Sequence, residues 1–175
     1  MNKTLNIYRL PLATPHLGKV VSDPQLHSNF LAHALDFLLP VNTPILAALE
    51  GEVIEVKVDS SQGGFRKKYL GNQYLNWITI AHANDEFSQY AHLKHQGSLV
   101  QKGDWVNVGD IIGYSGNTGF STCPHLHFHI YEVAPYAPGW RTKNIRFQEN
   151  IQVIRNKYRI IYEVMKFKIK PRKLG

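Results

Sequence analysis

Apolar residues recur in short, often alternating runs along this chain. Between the runs lie clusters of Gly, Pro, Asn and Asp. That is the signature of short β-strands joined by turns. Predicted strands are Ile45–Ala48, Glu52–Val58, Trp77–Ala81, Phe87–Leu93, Trp105–Val108, Ile111–Tyr114 and Leu126–Glu132. Val, Ile, Tyr, Trp and Phe recur in them, as a pleated, half-buried surface favours. Gly63-Gly64, Gly71-Asn72 and Gly116-Asn117 read as turns or loops. No long amphipathic helix is expected before residue 145, and residues 148–167 read equally as a helix or a strand pair. The spaced glycines of Gly97…Val100…Gly103…Val106…Gly109…Ile112-Gly113 suit very short strands with tight turns. The pattern predicts an all-β fold, a small Gly-rich sandwich or half-barrel. A lipoyl-carrier-like half-barrel ranks low, because no hairpin tip carries a lysine in the context such a carrier needs.

A length of 175 residues fits one domain, and 43% hydrophobic content is too high for a disordered chain. No apolar run reaches the length of a membrane span. Residues 1–12 lack the apolar stretch of a signal peptide, leaving a removed leader, another export route or an internal protein open. A single cysteine, Cys123, excludes an internal disulfide framework and a four-thiolate zinc site, and reads as a small buried thiol. The net charge of +7 is unevenly placed: residues 1–150 carry 12 Lys/Arg and 12 Asp/Glu, whereas residues 151–175 carry eight Lys/Arg and one acid, Glu163. The division expected is therefore a domain over 1–150 and a basic extension over 151–175. The extension is suited to an anionic wall polymer or a membrane surface, or serves only as a solvated tail. No nucleic-acid-binding motif accompanies it, so a specific nucleic-acid partner is not expected.

Nine histidines are His16, His27, His33, His82, His92, His95, His125, His127 and His129. Histidine is the commonest metal ligand and the usual acid or base near neutral pH. Three local signals stand out. In the run Cys123-Pro124-His125-Leu126-His127-Phe128-His129, strand alternation sends the three imidazoles to one face and Leu126 and Phe128 to the other. Asp36 precedes an apolar run, and a half-buried carboxylate there needs a positive partner, a metal ion being one. His92 sits inside the apolar stretch Gln89-Tyr90-Ala91-His92-Leu93. Each signal alone has an ordinary explanation: a wet strand face, a turn cap, a rim histidine.

Their order along the chain resembles the lysostaphin/LytM family of zinc metalloendopeptidases, with its duplicated hybrid motif fold. The matching pieces are Ala34-Leu35-Asp36-Phe37 with Pro40 to Pro44, Gly51-Glu52-Val53, Trp77 to His82, Tyr90-Ala91-His92-Leu93, the glycine series from Val100 to Gly113, Ser115 to Thr122, and Pro124-His125-Leu126-His127-Phe128. They cover roughly residues 25–133, and as a combined pattern they are specific. Tyr8-Arg9-Leu10-Pro11 is similar to the lead-in of one branch. The resemblance implies a mainly antiparallel fold with an open groove holding one Zn2+ per chain. By position it implies metal ligands His27, Asp36 and His127 and catalytic histidines His92 and His125. Most members place the first histidine four residues before the aspartate. Here that position is Ala32, so the resemblance is to the branch with a longer spacing; it points to His27, nine residues before Asp36, with His33 as the alternative. His82 is expected to line the cleft, His129 to lie behind the ligands or at the rim, and His16 and His95 to lie in loops. The polar insert 59–73 is expected to form a groove wall.

The implied activity is hydrolysis of peptide cross-links or stem peptides of bacterial peptidoglycan, in the cell envelope, periplasm or outside the cell. The competing reading is a non-catalytic envelope-binding or regulatory module on the same fold. Deleting residues 165–175 is expected to weaken binding to isolated cell walls in a pelleting assay and to leave hydrolysis of a small soluble peptide unchanged.

Overall fold

The structure is a computed structural model. It describes residues 2–24, 27 and 29–155. The described part of the chain contains fourteen strands and five 3-10 turns, and no α-helix. In chain order the strands are β1 (Val20–Val21), β2 (Leu35–Leu38), β3 (Pro44–Leu46), β4 (Gly51–Lys57), β5 (Gly63–Gly64), β6 (Trp77–Ala81), β7 (Phe87–Ala91), β8 (Leu93–Ser98), β9 (Trp105–Val106), β10 (Ile111–Ser115), β11 (Gly119–Phe120), β12 (His125–Val133), β13 (Trp140–Lys143) and β14 (Val153–Ile154). The larger sheet runs β14-β1-β2-β12-β7-β6-β4-β9, with β13 also paired to β12. A second sheet runs β3-β10-β8, and β5 and β11 form a short ladder. Pairing is antiparallel except for β1 with β14 and β5 with β11. The sheet does not close into a barrel, so the expected open, mainly antiparallel all-β fold is the one observed.

Alternation along the strands separates core from groove. Leu126, Phe128 and Ile130 of β12, Tyr90 of β7, Ile78 and Ile80 of β6, and Phe37 of β2 all point into one apolar core. Ile45, Ile112 and Leu93 of the smaller sheet close that core from the other side. Each such side chain contributes about 1.5–3 kcal/mol by leaving water. The opposite face carries Asp36, His127, Ala91 and Trp77, which are successive register partners across β2, β12, β7 and β6. A one-residue slip would send the apolar set to the groove, so core burial itself enforces this row.

The expected strand Phe87–Leu93 is split. His92 takes φ 61°, a left-handed conformation that breaks the ladder between β7 and β8. A residue other than glycine holds such a backbone at a cost of about 1–3 kcal/mol, and only where its surroundings enforce it. The strand 105–108 is shorter than expected, and β13 had no clear sequence signal. Val153 and Ile154, inside the segment read as a basic extension, add a strand beside Val20 and Val21. The remainder of that extension, and most of the segment 148–167, lie outside the described residues.

The amino-terminal segment is fastened by a buried charge. Glu86 is fully buried and accepts hydrogen bonds from the amides of Leu5 and Asn6 and from the Tyr8 hydroxyl. Lys143 Nζ lies 3.1 Å from Glu86 and 2.9 Å from Glu132. Burial opposes the charge of Lys143, but the two carboxylates outweigh it and raise its pKa. Removing one partner of a buried pair strands the other charge. Lys143→Met is therefore expected to cost about 3 kcal/mol or more in denaturant unfolding, whereas a substitution of exposed Lys102 is expected to fall within about 0.5 kcal/mol.

Candidate metal centre

β2 and β12 are neighbours, and Asp36 stands opposite His127 in their register. His127 Nδ1 lies 2.9 Å from Asp36 Oδ1. His27 approaches from the segment before β2, with Nε2 3.3 Å from Asp36 Oδ2. Potential ligand atoms of these three buried residues all lie within 4.8 Å of one another. Tetrahedral zinc with ligands at about 2.0–2.2 Å separates neighbouring donor atoms by about 3.3–3.5 Å. Two imidazoles and one carboxylate at these separations fit such an ion, with one position left for water or substrate.

The electrostatics agree with that fit. Burial would raise the Asp36 pKa, but the charges of His125 and His27 and hydrogen bonds from His127 and His27 hold it well below the usual carboxylate range. Burial pushes His27 down, and the neighbouring Asp36 carboxylate more than reverses this, so its pKa is raised. Burial lowers His127 despite the same carboxylate. The carboxylate is thus ionised, as a metal ligand must be.

His92 and His125 flank this group, with ring centroids 4.4 Å apart. Each is oriented by a backbone carbonyl, which can only accept. His92 Nδ1 donates to the Thr118 carbonyl at 2.6 Å, and His125 Nδ1 to the Cys123 carbonyl at 2.8 Å. In the neutral form of either ring this leaves Nε2 as an acceptor. His125 Nε2 lies 3.7 Å from Asp36 Oδ1. Burial, then the neighbouring His125 and His127, hold the His92 pKa well below its ordinary value.

Thr118 reaches His92 because of Gly116. A Cβ there would stand 2.6–2.7 Å from the backbone of Leu93 and Lys94, so only glycine lets the 115–118 segment lie this close. Buried Asn76 ties the same region together: its amide N–H donates to Thr118 Oγ1, and its side chain bonds to Ser60 and Leu93.

The other histidines separate clearly. His33 is not part of the group; its backbone amide donates to Thr142 Oγ1, and burial and Arg155 lower its pKa. His82 does not line the groove as expected. Its Nδ1 donates to the Glu50 carbonyl and its ring packs edge-on against Tyr8. His95 lies in β8 rather than in a loop, and is exposed; His16 ends a 3-10 turn. His129 Nδ1 lies 3.2 Å from His127 Nε2, with its ring stacked on Trp140. Strand alternation had already placed His129 beside His127, but nothing in the sequence pointed to Thr118 or Trp140. Cys123 packs with Val21, Leu38 and Ile154.

A groove of 510 Å3 opens beside the group, with His92, His127 and His129 in its lining. Phe30, Leu31 and Trp140 border it too, as do Leu75 and Asn72, the latter from the insert expected to form a wall.

The profile of peptidase family M23 matches residues 31–138. The chain belongs to that family. It is 36% identical over 95 residues to the peptidoglycan DD-endopeptidase ShyA of Vibrio cholerae, covering 54% of this chain and 19% of ShyA. To lysostaphin of Staphylococcus simulans it is 34% identical over 98 residues, covering 55% of this chain and 17% of lysostaphin. An uncharacterised metalloprotease of Buchnera aphidicola is 37% identical over 109 residues, covering 62% of this chain and 25% of its own length. The chain thus spans a quarter or less of these relatives. Among solved structures, the catalytic domain of the prophage-encoded M23 protein EnpA from Enterococcus faecalis superposes with a TM-score of 0.55 at 27% identity, covering 78% of this chain and 93% of that domain.

Because His27, not His33, stands against Asp36, His27→Ala is expected to leave the purified protein with less than a tenth of the wild-type metal content by elemental mass spectrometry. His33→Ala is expected to retain it.

Proposed function

We propose that this M23 peptidase is a zinc-dependent endopeptidase acting on the peptides of bacterial peptidoglycan. The observation that carries the reading is the buried group of His27, Asp36 and His127 at the edge of an open groove, with two further imidazoles beside it. The named wall-degrading relatives support the substrate class.

His27 and His127 would hold the ion through imidazole nitrogen and Asp36 through carboxylate oxygen. When bound, zinc supplies Lewis acidity, acidifying water towards a pKa of about 7 and polarising a carbonyl. The chain's own residues do the rest. His92 and His125 present Nε2 as acceptors while backbone carbonyls fix their Nδ1 protons. One of the pair takes a proton from the attacking water on Nε2 and passes it to the leaving amine; the other donates a hydrogen bond to the oxyanion in its imidazolium form, in which Nε2 also carries a proton. The groove holds the peptide in extended form. Such a substrate places the enzyme in the envelope or outside the cell, and residues 151–175 add positive charge suited to anionic wall polymer or membrane.

His92→Ala and His125→Ala are each expected to lower release of soluble fragments from purified sacculi by about 10²–10³-fold or more, with metal content preserved. Loss of the metal in either variant would show that these residues serve the ion and not the reaction.

A further inference from the structure

Three buried side-chain nitrogens among the described residues have no hydrogen-bond partner: His27 Nδ1, Trp77 Nε1 and His129 Nε2. His27 belongs to the metal centre. The other two residues line the groove. An indole N–H can only donate, and a buried donor left unpaired in a native protein calls for an explanation.

The sheet register places these residues on opposite sides of one trough. Trp77 pairs with Ala91, and Ala91 with His127. The row therefore reads large, small, large, and the Ala91 methyl forms its low floor. Two strand spacings put the two walls about 10 Å apart, the width of one extended peptide. One step along the strands, about 7 Å away, the next row reads Thr79, Gln89, His129. Its polar groups are partly occupied, since Gln89 Nε2 donates to Thr79 Oγ1 at 3.3 Å.

Both rings are held in place. Lys57 Nζ sits 5.5 Å from the Trp77 ring centre while donating to the carbonyls of Gln73 and Leu75. His129 stacks on Trp140, with centroids 5.4 Å apart and planes 3° from parallel. His129 Nδ1 faces His127 Nε2 at 3.2 Å, which leaves Nε2 as the unpartnered atom of the ring.

We infer that Trp77 Nε1–H on one wall donates to a backbone carbonyl, and His129 Nε2 on the other wall meets a backbone polar group, of a peptide lying along the trough over Ala91. The inference rests on the metallopeptidase reading and adds to it how the substrate is gripped. Both atoms are sheltered in the free protein, so a peptide reaches them only as the side chains of the groove shift on binding. A donor sheltered from water is worth more to a carbonyl than an exposed one.

The test uses the metal-loaded protein and the soluble fragments that it releases from sacculi. Titration with those fragments should shift the Trp77 indole N–H resonance saturably in a nitrogen-15 spectrum, and leave that of exposed Trp105 unmoved. Trp77→Phe keeps the ring and deletes the donor; His129→Phe keeps the stack on Trp140. Each should raise KM for soluble muropeptides roughly five- to tenfold, the worth of one neutral hydrogen bond, with kcat changing less than KM. His129→Phe should also lose its metal faster to a chelator. A stationary Trp77 resonance, or unchanged KM in both variants, overturns the inference. Sacculi that release no fragments with wild-type protein reject the hydrolase reading instead.

Discussion

A single buried carboxylate organises the functional end of this molecule. Asp36 is held between His27 and His127 with His125 close behind. A carboxylate in that position is tolerated only with positive charge or hydrogen-bond donors around it. The surrounding imidazoles satisfy it in the isolated chain, and a divalent ion would do so with greater strength. The site thus carries its charge imbalance in waiting, and the fold, not the metal, brings the three residues together.

The fold can do this because the apolar core and the site share strands. The same β12 that sends Leu126, Phe128 and Ile130 inward sends His125, His127 and His129 outward. Any shift that relaxed the site would unpack the core, so the core's burial energy stabilises the site's geometry. His92 is the exception, set by a left-handed backbone rather than by strand alternation. Its position depends on Thr118, whose approach depends on the missing side chain at Gly116 and on the hydrogen bonds of Asn76.

The groove shows the same economy of construction. Small Ala91 between two large partners leaves a trough beside the candidate metal centre, and the sheet register alone places Trp77 across from His127. Walls come from loops at both margins, the short turn at 29–31 and the stretch 72–75. Strands position His125, His127 and Asp36, and connecting segments border the groove, a common division of labour in proteins.

Much of this was legible in the chain itself. Alternation around His125, His127 and His129 specified a strand with three imidazoles on one face, because side chains on strands have a period of two. The apolar runs marked most of the long strands, and the position of Asp36 before an apolar run marked a carboxylate in need of a partner. Tertiary structure alone decided the rest. Spacing could not choose between His27 and His33, since the chain before β2 is irregular and has no period to read. Nor could it show that His82 turns to Glu50 and Tyr8, that His92 leaves the strand ladder, or that Trp77 faces His127 across Ala91. Those facts depend on which distant strands lie side by side and in what register, a choice made by burial of the whole core and not by any local stretch of sequence.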